Sequence, residues 1–152
     1  MKPLLMFSFI ILSSSIGLGQ TPQDKEGLLR GEEMGQGTVA EVNGYPEPKR
    51  VLDAAEKLQL SDQQKKAITR IYQEAETRAK ELSQSIIRLE EELNKAFQDQ
   101  LVIEKSVRDD AEQIGRLRGR LRGVHLVAHL KTRAVLTERQ IAAYASLQKS
   151  KR

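Results

Sequence analysis

Apolar residues recur from Ile68 to Ala96 in alternating steps of four and three: Ile68, Tyr72, Ala75, Ala79, Leu82, Ile86, Leu89, Leu93 and Ala96. Such a seam predicts one long helix over residues 61–97, closed by Phe97 and rising about 55 Å. A rod with this stripe needs a partner, because most helical stability in proteins comes from packing the apolar face. The partner comes next in the chain. Ile103, Val107, Ile114, Leu117, Leu121, Val124 and Ala128 form a second seam, broken once at Asp110. Residues 98–102 are the turn between the two, although no Gly or Pro marks it. Leu126, Val127 and Leu130 make the last third of the second helix apolar on two sides, which requires two partners. One is a short helix opening near Pro48, with Val51, Leu52, Ala55 and Leu58 on one face. Another is a terminal helix carrying Ile141, Tyr144, Ala145 and Leu147. The expected fold is all-α: a long antiparallel hairpin with a short helix at each end, four helices in all, and a homodimer covering what remains apolar.

Two helix starts repeat one phrase, Leu60-Ser61-Asp62-Gln63-Gln64 and Leu136-Thr137-Glu138-Arg139-Gln140. A hydroxyl residue followed three positions later by Gln is a capping box. The hydroxyl accepts from the amide of the third helical residue, and the Gln side chain reaches back to the cap amide. In the second copy Leu136 can staple onto Ile141. In the first copy Lys65 occupies the stapling position, so the staple is missing.

The ends change the picture. Lys2 and the apolar run from Leu4 to Leu12 read as an export signal, with Gly17-Leu18-Gly19 as its cleavage site. The run is short for a membrane span of about 20 residues, so cleavage is expected rather than a retained anchor. No cysteine stands near the site, which argues against a lipoprotein anchor. Residues 1–19 are thus signal, 20–47 a flexible Gly- and Pro-rich lead, 48–148 the helical domain and 149–152 a basic tail. Cysteine is absent throughout and aromatic residues are few, so aliphatic packing alone must supply the core.

The formal net charge is +4, but its distribution says more. From Gln113 onward there are ten basic residues and one acidic, Glu138. The stretch before it is net acidic, as partner helices or a polarised surface would require.

Three constellations offer chemistry. His125 and His129, the only histidines, share a helical face and suit one metal ion such as Zn, Cu or Ni. No Glu follows His125, so the metalloprotease pattern is missing. A turn centred near Gln100 sets Glu76 across from His125 and Tyr72 across from His129, which offers Glu76 as a third ligand. The alternative is two polar residues flanking an apolar stripe. Gly115, Gly119 and Gly123 recur every fourth residue, each costing the helix about 1 kcal/mol relative to Ala. They mark either a close contact, a pliable wall, or plain compositional bias. Arg116, Arg118, Arg120 and Arg122 alternate with Leu117 and Leu121 in a surface both cationic and greasy, suited to non-native polypeptide. The competing reading pairs these arginines with Glu90, Glu91 and Glu92, which the same register sets opposite residues 108–110. No nucleophile, base and orienter combine into an enzyme site. Nucleic acid is disfavoured by the export signal and by the scarcity of aromatic residues for stacking.

The paired boxes, the export signal, the Gly/Pro lead and the hairpin together resemble the periplasmic Spy/CpxP family of LTxxQ-motif proteins, over roughly residues 48–148. Residues 136–140 match the motif fully, and residues 60–64 carry Ser for Thr. The run from Leu121 to Leu130 resembles the metal-resistance branch, which includes ZraP- and CnrX-like proteins. The resemblance implies a cradle-shaped all-α dimer acting as an ATP-independent chaperone, a stress modulator with a sensor-kinase or anti-sigma partner, or a metal sensor. Sensor-type members draw ligands from several helices, whereas this chain has no His beyond His125 and His129. The leading expectation is a periplasmic chaperone for unfolded or misfolded proteins that needs no cofactor. A heavy-metal-binding protein using His125 and His129 is the alternative.

Overall fold

A computed structural model describes residues 38–149 together with Gly27. The expected signal over residues 1–19, most of the expected lead and the last three residues lie outside the described part. Five helices with described bounds follow in order: α1 (Thr38–Val42), α2 (Pro48–Asp53), α3 (Asp62–Gln98), α4 (Glu104–Val135) and α5 (Glu138–Lys149). There is no strand among the described residues. The two long helices form the expected hairpin, with residues 99–103 as its tip and the far end as its root.

The central seam residues do what their spacing implies, whereas Ile103, which opens the second seam, is 66% exposed. Ala79, Leu82, Ile86 and Ile87 of α3 meet Ile114 and Leu121 of α4 in one buried cluster, with Leu89, Leu93, Leu117 and Val124 packed against it. A second cluster at the root gathers Val51, Leu58, Leu60, Ile68, Leu136, Ile141 and Tyr144. The short helices flank the hairpin in sequence, as expected, yet in space they share the root. An antiparallel hairpin brings its two open ends together, so whatever precedes α3 must meet whatever follows α4.

Turns are made without glycine where glycine would be usual. Gln100 has φ 56° and Gln59 φ 51°. In each case the next amide bonds back five residues, Leu101 to Ala96 O at 2.9 Å and Leu60 to Ala55 O at 3.0 Å. These are Schellman endings, whose left-handed residue favours Gly for want of a Cβ. Gly44, with φ 79°, ends α1 in the same way, its following amide bonding to Ala40 O at 3.0 Å.

Residues 38–47 depart from the reading of residues 20–47 as a flexible lead. They form a further helix, α1, and a strap that lies on α4. His129 Nδ1 donates to Tyr45 O at 2.8 Å, and Arg133 Nη1 donates to Gly44 O at 3.0 Å. The Arg133 guanidinium also stands 5.3 Å from the centre of the Tyr45 ring. The Tyr144 hydroxyl donates to Glu41 at 2.8 Å, and Arg50 donates to the other oxygen of that carboxylate at 2.9 Å. Burial, then the bond to Glu41 and its negative charge, push the Tyr144 hydroxyl well above the ordinary tyrosine value. The strap borders the doubly apolar end of α4 but leaves Val127 and Leu130 about half exposed.

Candidate functional site

The two capping boxes form and then join. Ser61 N donates to Gln64 Oε1 at 3.0 Å and Gln64 N to Ser61 Oγ at 3.2 Å. Thr137 N donates to Gln140 Oε1 at 2.9 Å and Gln140 N to Thr137 Oγ1 at 3.3 Å. The antiparallel hairpin sets the boxes side by side. Gln64 Nε2 donates to Gln140 Oε1 at 2.8 Å, and Gln140 Nε2 donates to Gln64 Oε1 at 3.0 Å. The second amide hydrogens close Val135 O at 3.0 Å and Leu58 O at 3.3 Å. Each glutamine therefore spends both donors and both acceptor directions. The leucines that open the phrases, Leu60 and Leu136, are buried beneath this clasp. Leu136 and Ile141 share the root cluster, as the staple requires.

The arginine surface differs from its sequence reading. Leu121 is fully buried and Leu117 packs against the hairpin core, so neither faces a client. Both belong to the seam that the 3.6-residue period turns inward. The outward positions between the arginines are Gly115, Gly119 and Gly123, where an added Cβ would meet nothing within 4 Å. Arg116 pairs with Glu112 on its own helix at 2.8 Å, both well exposed. Arg118 reaches Glu90 at 2.9 Å, a pairing that the simple register argument disfavoured. Helical side chains lean toward their own N-terminus. In an antiparallel pair the two leans converge, so partners lie further up each chain than their Cα positions suggest. Lys131 and Glu74 pair in the same offset sense. Arg120 and Arg122 are exposed and carry no ion pair among the described residues.

Beyond the glycines the same outer face of α4 turns apolar. Leu126, Val127 and Leu130 line a shallow patch with Val39, Ala40, Asn43 and Tyr45 of the strap. Val127, Leu130 and Val39 remain 48%, 57% and 48% exposed. Sequence reasoning found the α4 half of this patch but not the strap half, whose signal is a single tyrosine in a Gly- and Pro-rich stretch. It also missed the apolar tip formed by Phe97, Leu101 and Ile103, all exposed.

His125, His129, Glu76 and Tyr72 line one pocket with Glu47, Pro48 and Lys49. His129 is 4% exposed. A carbonyl only accepts, so the Tyr45 contact fixes the proton on Nδ1 and leaves Nε2 with the lone pair in the neutral ring. Glu76 is engaged by Lys80 at 3.2 Å. Among the described residues no group of three His, Cys, Asp or Glu is arranged to hold a metal ion. The predicted trio thus shares a pocket without forming a ready ligand set. No helix among the described residues is long and apolar enough to cross a membrane. In comparison with known proteins, no family model, no curated protein and no solved structure matches this chain.

Proposed function

We propose that this chain is an exported, ATP-independent binding protein for non-native polypeptides, of the kind the Spy/CpxP resemblance suggests. One observation carries the reading. The solvent-facing side of α4 carries the exposed, unneutralised Arg120 and Arg122 on its two opposite flanks, and leads to the uncovered Val39, Leu126, Val127 and Leu130 patch. An unfolded chain offers apolar side chains and carboxylates in varied order, and a long face of both kinds takes them by weak, numerous contacts. The charged contacts are screened by salt. The apolar component is this patch, in place of Leu117 and Leu121. The test is suppression of aggregation of an unfolded protein without ATP, followed by light scattering. Suppression at modest molar excess is expected, reduced in a Val127→Ser/Leu130→Ser variant. No suppression at several-fold excess overturns the reading.

A second reading is favoured by the His129 ring, oriented by a carbonyl as metal-binding imidazoles commonly are, beside His125 and Glu76 in one pocket. Calorimetry with Zn, Cu and Ni tests it against a His125→Ala/His129→Ala variant. Equal heats for both proteins remove the histidines as ligands.

A further inference from the structure

Between the strap and α5 the root leaves a cavity of about 530 Å³. Val42, Pro46, Ile141 and Ala145 give it an apolar wall, and Arg50 and Lys149 bring it positive charge. Small residues keep it open. The strap turns away at Gly44, with φ 79°, and the Ala145 side chain stops at Cβ. The floor is closed, because Pro46, Ile141 and Tyr144 are buried. Val42 stays 66% exposed above it. The volume lies within the range of small-molecule sites, about 300 to 1,000 Å³, which combine apolar walls with a few placed polar groups.

The polar groups divide into spent and unspent. Glu41 is held by the Tyr144 hydroxyl at 2.8 Å and by Arg50 Nη1 at 2.9 Å. Arg50 also pairs through Nε with Glu47 at 2.8 Å, which leaves Nη2 unengaged among the described residues. Lys149 is exposed and has no ion pair among them. The unspent groups are therefore cationic donors beside an aliphatic wall. The amides of Asn43, Gly44 and Tyr45 are all bonded within the strap, so a peptide backbone would find no donor there. An alkyl chain needs none.

We propose that this cavity binds a single-chain carboxylate amphiphile of the fatty-acid class. The alkyl chain lies against Val42, Pro46, Ile141 and Ala145. The carboxylate takes charge-assisted hydrogen bonds from Lys149 and from Arg50 Nη2. The alkyl chain supplies most of the affinity, and the head group sets the sign of charge that is accepted. A cationic amphiphile fits less well, because the carboxylate of Glu41 already has two donors.

Calorimetry of the full chain with decanoate, kept below its micellar concentration, tests this. One decanoate per chain is expected. Octanoate should bind about tenfold more weakly, for want of two methylenes, and decyltrimethylammonium at least about tenfold more weakly. Ala145→Phe fills the cavity from an exposed helix position, so it should weaken decanoate at least about tenfold with the circular dichroism unchanged. Lys149→Glu should weaken decanoate and narrow the gap between the two head groups. Val127→Ser/Leu130→Ser, on the outer side of α4, should leave decanoate binding as it was. Absence of binding, equal affinity for the two head groups, or undiminished affinity in Ala145→Phe overturns the proposal. Loss of binding in Val127→Ser/Leu130→Ser with none in Ala145→Phe places the amphiphile on the outer patch and overturns it equally. Each of these outcomes leaves the polypeptide-binding reading standing, since that is judged by light scattering alone.

Discussion

Removing one glutamine of the clasp should cost far more than a surface substitution. Gln140 accepts from Thr137 N and Gln64 Nε2, and donates to Leu58 O and Gln64 Oε1. Gln140→Ala deletes these four bonds, together with the contact from Thr137 Oγ1 at 3.1 Å, and strands half of the Gln64 amide in a partly buried site. At about 1 kcal/mol net per bond, less for the long contact to Leu58, the loss is about 3 kcal/mol. Gln64→Ala should cost about the same, since it gives up the bond from Ser61 N to Gln64 Oε1 and the closure of Val135 O. The two mutual bonds are counted in both single variants but can be lost only once. The double variant should therefore cost about 4 to 5 kcal/mol, a coupling of about 1 to 2 kcal/mol. Urea unfolding followed by circular dichroism on the four proteins measures this. Additivity within about 0.3 kcal/mol would show that the boxes act as separate caps and refute the clasp as an energetic unit.

Ser83 is 1% exposed and its hydroxyl has no hydrogen-bond partner among the described residues, so Ser83→Ala should raise stability by about 1 kcal/mol. A loss in chemical denaturation would mean that the hydroxyl is satisfied in solution. Gln100→Gly should also stabilise, by about 0.5 to 1 kcal/mol, by relieving the left-handed residue at the tip. An unchanged denaturation midpoint would count against that strain. Leu121→Ala should cost about 3 kcal/mol, whereas Arg120→Ala should stay within about 0.5 kcal/mol. Comparable losses would place Leu121 outside the core. Tyr144 keeps its proton in the folded chain beyond the pH at which an unfolded tyrosine ionises. Its contribution is thus complete below about pH 10 and is lost as pH rises above that. Tyr144→Phe should flatten this alkaline decline in thermal melts, and an equally steep decline in the variant would assign it to other groups.

The hairpin was legible because nine apolar positions in strict four–three steps leave one face for one partner. The caps were legible for the same local reason, since every atom of a box lies within three residues. Their union was not, because it depends on where an antiparallel return sets Gln140 beside Gln64. The strap was hidden by its composition. α1 spans five residues, too few to show a period, and its order comes from His129, Arg133 and Tyr144, far away in sequence. Leu117 and Leu121 were misjudged as client contacts because alternation with arginine resembles a surface, while their own spacing of four places them in the seam. The Arg118–Glu90 pair was discounted by counting Cα positions and ignoring the lean of long side chains.

The uneven distribution of long-range hydrogen bonds has a dynamic consequence. The clasp, the strap contacts and the Glu41 network all fasten the root, while the Arg118–Glu90 pair lies further toward the turn. Near the turn Phe97, Leu101 and Ile103 are all exposed. Amide protons should therefore exchange with solvent in a gradient, slowest around Ile68 and Ile141 and fastest around residues 98–104. The molecule would breathe like tweezers, its jaws parting at the turn while the grip at the opposite end stays shut.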